Sequence, residues 1–232
     1  MSDEVCLITG VGPGTGRALA RRFAAGYRVA MLARDEQRLD ELASEIESAS
    51  AWPCDVSDPE ALAGTLDAVR KELGNPSIVI HNAVGGAFGD VLSIDPAVLE
   101  RNFRINTMAL LHLAQHTAPA MIEAGRGAIL CTGNTSAYRG KAAFAGFAPS
   151  KAAQRILAES MARSLGPKGV HVAYLAIDAV IDVPWTRKAR PDAPDSYFCK
   201  PEDIASECWH IAHQPRSAWS FDVVIRPDGE TW

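Results

Sequence analysis

The chain has 232 residues, of which 47% are hydrophobic and 22% are charged, and these values are ordinary for a folded globular protein. A chain of this length can bury most of its apolar surface as one large domain or two small ones without disulfides or metals. The net charge of −5 gives no electrostatic case for nucleic acid binding, and no apolar run approaches the roughly 20 residues of a membrane span.

Short apolar runs alternate with longer amphipathic runs along the chain. The apolar runs predict strands at residues 5–8, 28–32, 51–54, 78–80, 128–131, 170–177 and 221–225. The amphipathic runs predict helices at residues 17–25, 36–48, 58–73, within 97–123, and at 149–165 and 201–213. Continuous apolar strands between helices indicate a parallel sheet covered on both faces. We therefore predict an α/β fold: a single doubly wound Rossmann-type domain over residues 1–232, with about seven parallel strands.

The stretch at residues 182–200, between the sixth strand and the last helix, is loose in composition. It is rich in Pro, Asp and Arg. It follows the carboxyl end of a strand, and ligands bind at that edge of open α/β sheets. Long connections in a compact domain are commonly functional. We predict that this stretch forms a short substrate lid.

The cysteines do not form a recognisable framework. The chain has five cysteines, which are scattered and include no CxxC pair: Cys6, Cys54, Cys131, Cys199 and Cys208. We therefore expect neither a disulfide network nor a metal site. The acidic N-terminus enters a strand pattern at once, so no signal peptide is expected. A reducing cytoplasm is the predicted location.

A glycine-rich segment, TGVGPGTG from Thr9 to Gly16, follows the first strand and opens the first helix. Glycines permit a tight turn and a close approach of the backbone to a pyrophosphate, while the helix N-terminus presents free N–H groups to that anion. We predict that Gly10, Gly12, Gly14 and Gly16 hold the phosphates of a dinucleotide. A plain glycine-rich turn is the alternative.

The end of the second strand bears on the choice of cofactor. An NAD site usually offers a carboxylate there to the ribose hydroxyls, but this chain has Ala33 followed by Arg34. An arginine can pair with a 2′-phosphate, so NADP is favoured over NAD. A solvated arginine, neutralised by the neighbouring Asp35, is the other explanation for Arg34.

Four motifs in the right order resemble those of the short-chain dehydrogenase/reductase family over nearly the whole chain. The matching residues are Thr9, Gly10, Gly14 and Gly16 in the glycine motif, Asp55-Val56 after strand three, His81-Asn82-Ala83-Val84 after strand four, and Asn106 in the long helix. The resemblance implies that Asp55 and Val56 hold the adenine and that Asn82 and Ala83 hold the ribose and nicotinamide side. It also implies that Asn106 supports a water chain leading to the active-site lysine.

The catalytic half departs from the family pattern. The family's Tyr-xxx-Lys stands here as Phe147-xxx-Lys151, and a register seven residues before the lysine, used by a divergent branch, holds Phe144. The family's serine, about thirteen residues before the tyrosine, is replaced by Asn134. The chain therefore resembles an atypical subset of the family that lacks the tyrosine.

The resemblance implies further roles at this end of the site. Lys151 would bond the nicotinamide ribose, and the backbone at Ile181 would meet the carboxamide. Asn134, or one of the next two residues, would take the serine's role beside Phe147, which would face the substrate. Because phenylalanine cannot donate the proton, the candidate donors are Tyr138, Asp178, and Lys151 with its water chain.

From these features we predict an NADP(H)-dependent oxidoreductase of a small carbonyl, alcohol or activated double bond. The alternative is an NADP(H)-binding regulator or scaffold that no longer turns over, because the loss of a general acid typically removes about 10²- to 10⁴-fold of rate. The expected partner is a small-molecule substrate, with no nucleic acid and no membrane. The resemblance also implies a homodimer or homotetramer.

Overall fold

The computed structural model of the chain describes residues 3–229. Its strands are β1 Val5–Thr9, β2 Arg28–Ala33, β3 Ala49–Pro53, β4 Pro76–His81, β5 Gly127–Gly133, β6 Val170–Ile177, β7 Val180–Ile181, β8 Phe198–Cys199 and β9 Asp222–Ile225. Seven of them form one parallel sheet in the order β3-β2-β1-β4-β5-β6-β9, and β7 and β8 form a separate parallel pair. The predicted seven-stranded parallel sheet is confirmed.

The helices connect successive strands. They are α1 Thr15–Ala24, α2 Glu36–Glu45, α3 Pro59–Glu72, α4 Pro96–Phe103, α5 Ala109–Glu123, α6 Ala148–Leu165, α7 Pro184–Ala189 and α8 Pro201–Ala212. Asp35, Asp58 and Asp95 cap α2, α3 and α4, because each carboxylate accepts a backbone N–H of the first turn. No helix within residues 3–229 is long and apolar enough to cross a membrane.

The sheet is buried on both faces. All residues of β1 and of β6 are buried. Side chains of α3, α5 and α6 cover one face, and side chains of α1, α2 and α8 cover the other. The chain runs from β1 outward to β3 and then crosses to β4 on the other side of β1. This reversal opens a crevice at the carboxyl ends of β1 and β4, which is where such sheets bind ligands.

The long helix predicted within residues 97–123 is interrupted. A π-helical turn, Arg104–Met108, separates α4 from α5. Asn106 lies in this turn and is fully buried. Its side-chain amide exchanges two hydrogen bonds with the backbone of Gly85. Such turns within helices are frequent at functional sites.

Several other element boundaries differ from the sequence prediction. The second helix ends at Glu45 instead of residue 48, because Ile46 is extended and buried. The third strand begins at Ala49, two residues earlier than predicted. The loose stretch at 182–200 contains α7 and β8. Within this stretch, Arg187 forms ion pairs with Asp182 and Asp195. Some of its charged residues therefore pair with one another.

Candidate active site

The glycine loop packs tightly against the end of β4. Gly10 has φ +72, and a Cβ there would lie 2.4 Å from the Cα of Ala83. A Cβ on Gly16 would lie 2.6 Å from the carbonyl oxygen of Gly10. Gly12 is different, because a Cβ there would meet nothing within 4 Å. The loop is therefore compact where it meets the protein and open at Gly12.

The open side of this loop fits a phosphate. The hydroxyl of Thr15, at the first residue of α1, is buried and has no hydrogen-bond partner within the described chain. Buried polar groups without partners are uncommon, and a helix N-terminus favours an anion. The residues present therefore fit the pyrophosphate of a dinucleotide. The sequence analysis missed Thr15, whose burial no motif reveals.

One cleft of about 870 Å³ collects the predicted cofactor residues. Its lining includes Gly10, Gly12, Gly14, Gly16, Arg34, Asp55, Val56, Asn82, Ala83 and Ile181. Thr9 lies just behind it, where its hydroxyl is 2.9 Å from Nδ1 of His81. The four residues predicted for catalysis, Asn106, Asn134, Phe147 and Lys151, lie beyond this lining. The structure thus brings the predicted cofactor residues, except Thr9 and Lys151, together along one surface.

The end of the cleft that lies beyond β2 is basic. Arg34 and Arg38 both line it and are exposed. Arg38 was not predicted; it pairs with Asp35, whose Oδ2 is 2.9 Å from its guanidinium, while Oδ1 of Asp35 accepts the Arg38 backbone N–H. Asp35 is thereby committed to Arg38. Asp55 accepts hydrogen bonds from Ser57, and although partial burial opposes them, these bonds lower the pKa of its carboxyl.

A line of hydrogen bonds joins the glycine loop, at the carboxyl end of β1, to Lys151. The Asn82 side chain donates to the Gly10 carbonyl at 2.9 Å, and its Oδ1 accepts from the Thr132 hydroxyl at 3.0 Å. The Thr132 carbonyl accepts from the ammonium of Lys151 at 3.3 Å. Lys151 is only 2% exposed, and this burial lowers its pKa to about 8. Lys151 is therefore still mostly an ammonium at pH 7, but it releases its proton much more easily than an exposed lysine does.

Asn106 is enclosed by protein groups. Its amide exchanges two hydrogen bonds with the backbone of Gly85 and donates to the Ser150 hydroxyl. Its carbonyl accepts from Nε2 of Gln154 at 2.8 Å. Gln154 lies one turn beyond Lys151 on α6, is fully buried, and has an Oε1 without a partner within residues 3–229. Gln154 was not predicted, because a buried glutamine has no sequence signature of its own.

His81 is a neutral neighbour of this network. Its Nδ1 faces the Thr9 hydroxyl, and its Nε2 lies 3.0 Å from the carbonyl oxygen of Ile105. Full burial, with the charge of Lys151 as a second cause, lowers the pKa of His81 to about 4. An imidazole that is neutral at pH 7 and bonded on both sides serves to hold β4 against the π-helical turn.

Two other candidate proton donors are occupied elsewhere. The hydroxyl of Tyr138 donates to Asp222 in β9. Burial first, and Asp222 second, raise the pKa of this phenol to about 12. Asp178 accepts the Thr135 hydroxyl at 2.6 Å and lies 3.8 Å from Arg139. Both groups are therefore parts of local polar contacts, that of Asp178 just after β6 and that of Tyr138 at the first residue of β9.

The remaining predicted residues, Asn134 and Phe147, lie in the segment between β5 and α6. Asn134 accepts the backbone N–H of Ser136 and so caps a short turn after β5. Phe147 immediately precedes α6, and its carbonyl accepts the backbone N–H of Lys151 at 3.3 Å. Its ring packs near Gly86, where a Cβ would lie 3.7 Å away. Phe147 and Lys151 thus share one helical turn.

The sheet order, the glycine loop and the cleft at the strand reversal define a dinucleotide-binding domain of the Rossmann type. The profile of the short chain dehydrogenase family matches residues 4–193. The chain belongs to the short chain dehydrogenase family, and in general terms this makes it an NAD(P)-dependent oxidoreductase.

Several known proteins are similar over their whole length. The 7alpha-hydroxysteroid dehydrogenase of Escherichia coli (strain K12) is 27% identical over 242 residues, covering 99% of this chain and 94% of that protein. The crystal structure of a metagenomic short-chain oxidoreductase in complex with NADP has a TM-score of 0.85 at 28% identity and covers 99% of each chain. An NAD+-bound xylitol dehydrogenase has a TM-score of 0.86 at 22% identity, covers 97% of this chain and 98% of its own, and shows the fold alone. Proteins of this fold thus bind either dinucleotide, and the preference must come from local residues.

The two ends of the glycine loop make different predictions. Gly10→Ala is expected to lower the free energy of unfolding by at least about 2 kcal/mol, because the left-handed φ and the backbone of Ala83 leave no room for a methyl group. Gly12→Ala is expected to leave thermal stability unchanged but to weaken dinucleotide binding, since its methyl group would enter the open side. Thermal unfolding and a fluorescence titration with NADPH check both. Equal effects of the two variants on stability would contradict this account of the loop.

Proposed function

We propose that this protein is an NADP(H)-dependent oxidoreductase of a small carbonyl, an alcohol or an activated double bond, with an altered proton-donor site. The observation that carries the proposal is the line of hydrogen bonds from Lys151 through Thr132 and Asn82 to Gly10. A nicotinamide bound in the cleft would supply or accept the hydride. The chain would hold the dinucleotide, exclude water and move the proton. The relative that is a hydroxysteroid dehydrogenase agrees with carbonyl and alcohol chemistry.

Turnover is the direct test. Purified protein is mixed with NADPH and a broad panel of aldehydes, ketones and enones, and the cofactor's absorbance is followed. Oxidation of NADPH that depends on one of these compounds is the expected result. Tight NADPH binding without turnover of any compound would contradict the enzyme and support a regulator.

The proposed preference for NADP rests on charge. Arg34 and Arg38 line the end of the cleft beyond β2, and the nearby carboxylate of Asp35 is engaged by Arg38. An NAD site would use a carboxylate free to accept the ribose hydroxyls. Arginine guanidinium groups fit a 2′-phosphate by paired hydrogen bonds. The NADP complex of the metagenomic relative is consistent with this assignment.

Arg34→Ala is expected to weaken NADPH binding by about 10- to 100-fold, because hydrogen bonds between charged groups are the strong ones. NADH binding should be unchanged, since NADH has no 2′-phosphate. The matched control is Arg70→Ala, which removes an exposed arginine paired with Asp67 on α3. Fluorescence titrations with both dinucleotides measure the effect. An equal loss for NADPH and NADH would assign Arg34 to general structure instead.

Lys151 is the proton donor that we favour. It is buried, its pKa is lowered to about 8, and its one protein hydrogen bond among the described residues leaves N–H groups for water or substrate. Tyr138 is bonded to Asp222, and Asp178 to Thr135. A group whose pKa lies near the working pH is the effective acid or base.

The second candidate function is an NADP(H)-binding regulator or scaffold. The observation that favours it is the presence of phenylalanine at both registers, Phe147 and Phe144, with the nearest tyrosine, Tyr138, diverted to Asp222. Binding of the dinucleotide would then be the whole function.

We further infer that residues 1–232 act as one domain with a substrate lid at 182–200. In support, Val183 packs against the glycine loop, where a Cβ on Gly14 would lie 2.9 Å from Cγ1 of Val183, and Trp185 lines the cleft. A homodimer or homotetramer, a cytoplasmic location and the absence of nucleic acid partners stay predictions. Gel filtration with light scattering would test the assembly.

A further inference from the structure

Three phenylalanines lie in a row beside the proposed reaction site. The ring of Phe147, in the same helical turn as Lys151, meets the ring of Phe144 edge-on with 6.3 Å between centroids. Phe144 in turn packs against Phe88, with 5.4 Å between centroids and a tilt of 42°. We name these three side chains the phenylalanine wall. It leads from the turn that holds Lys151 outward to the surface.

The outer end of the wall is open to solvent although its backbone is ordered. Phe88 is 81% exposed. The loop that carries it is joined to the segment before α6 by two hydrogen bonds, from Gly89 N to the Ala143 carbonyl at 2.9 Å and from Ala145 N to the Gly89 carbonyl at 3.2 Å. Exposed apolar side chains that lie together on the surface mark interaction sites or ligand-binding grooves.

The same loop divides its apolar side chains between two uses. Ile94 turns inward, where a Cβ on Gly146 would lie 2.5 Å from its Cδ1. Val84, Phe88, Val91 and Leu92 are 62%, 81%, 79% and 95% exposed. Ile94 and the two backbone hydrogen bonds hold the loop to the segment before α6, so the exposed side chains are not required to hold it. Their exposure costs free energy unless something apolar covers them.

We propose that the substrate is a flat, apolar ring compound whose body lies along the phenylalanine wall, with its carbonyl or alcohol carbon directed toward Lys151. This inference rests on the proposed function and narrows its substrate class. Aromatic faces stack on flat rings and offer no hydrogen bonds to a polyol or sugar. The replacement of the family tyrosine by Phe147 extends the same apolar surface to the reacting end.

Binding is measured with the full chain loaded with NADP+, which cannot reduce a ketone. The probes are α-tetralone, a fused-ring ketone, and dihydroxyacetone, a small polar ketone. Calorimetry and saturation-transfer NMR are expected to show α-tetralone binding at least about 10-fold more tightly, because it buries far more apolar surface. Equal affinities would overturn the proposal.

Variants locate the site. Phe88→Ala is expected to weaken α-tetralone binding by about 5- to 10-fold. Because Phe88 is 81% exposed, this variant is expected to fold as the wild type does. Ile156→Ala is the matched control, since it also removes an exposed apolar side chain, one that lies on α6 outside this loop and outside the ring contacts. Equal effects of the two variants, or none for Phe88→Ala, would contradict the wall as the binding surface.

The outcomes separate this inference from the proposed function. Tight α-tetralone binding without NADPH oxidation on any ketone would support the binding surface and contradict the proposed enzymatic function. Reduction of dihydroxyacetone without α-tetralone binding would keep the enzyme and remove the subsite. A second copy of the chain is the rival occupant of the wall. Sedimentation velocity in which Phe88→Ala abolishes self-association, with α-tetralone binding unchanged, would overturn the proposal in favour of that contact.

Discussion

Phe147→Tyr is expected to raise kcat for carbonyl reduction by about 10- to 100-fold. This gain lies at or below the lower limit of the roughly 10²- to 10⁴-fold range for a positioned general acid, because Lys151 already supplies some proton transfer. The new phenol would stand one turn before Lys151, whose backbone N–H bonds to the carbonyl of residue 147. A buried ammonium lowers the pKa of a neighbouring phenol and so makes it a better acid near pH 7. Steady-state kinetics with NADPH and the best ketone from the panel provide the measurement.

Phe144→Tyr is the matched control for this gain. It adds the same hydroxyl to the other register, on the ring that meets Phe147 edge-on at 6.3 Å. No increase in kcat is expected from it, because residue 144 lies outside the turn that carries Lys151. A gain from Phe144→Tyr alone would mean that the reacting carbon lies elsewhere. No gain from either variant, with NADPH still bound, would favour the regulator.

The sheet and the cofactor cleft are predictable from the sequence because they follow from local patterns. Short continuous apolar runs between helices, such as 170–177, predict strands covered on both faces, and β6 is buried throughout. The glycine spacing reflects steric limits, which the contact of Gly10 with Ala83 illustrates. The residues predicted to bind the cofactor, other than Thr9 and Lys151, lie along one cleft, and their role in binding stays a prediction.

Other parts of the site depend on distant partners, which a sequence pattern does not contain. Thr15 and Gln154 are notable only because burial leaves one atom of each without a partner among the described residues. Tyr138 looks available as an acid until β9 brings Asp222 to its hydroxyl. The composition of residues 182–200 predicts a loop with solvated charges, but Arg187 pairs with Asp182 and Asp195 within the same stretch. Long-range pairing is the physical reason for each of these differences.

Lys151→Met should lower kcat/KM for carbonyl reduction by about 10²- to 10⁴-fold, because it removes both the favoured acid and a group proposed to hold the nicotinamide ribose. Methionine keeps most of the volume of a side chain that is 2% exposed, and the loss of a buried charge avoids desolvation, so the variant should fold. The control is Lys168→Met, which changes an exposed lysine after α6. An NADPH titration of both variants separates lost binding from lost chemistry.

The pH dependence distinguishes an acid from a purely structural lysine. Burial lowers the pKa of Lys151 to about 8, so the ammonium fraction falls as the pH rises through that value. Reduction needs the ammonium as the acid, and kcat/KM should be level below pH 8 and fall by about tenfold per pH unit above it. Alcohol oxidation needs the free amine as the base, so its kcat/KM should rise over the same range. In Lys151→Met both limbs should disappear from the residual activity. If the residual activity of Lys151→Met still falls above pH 8 as in the wild type, another group transfers the proton. Lys151 would then act only by holding the nicotinamide ribose.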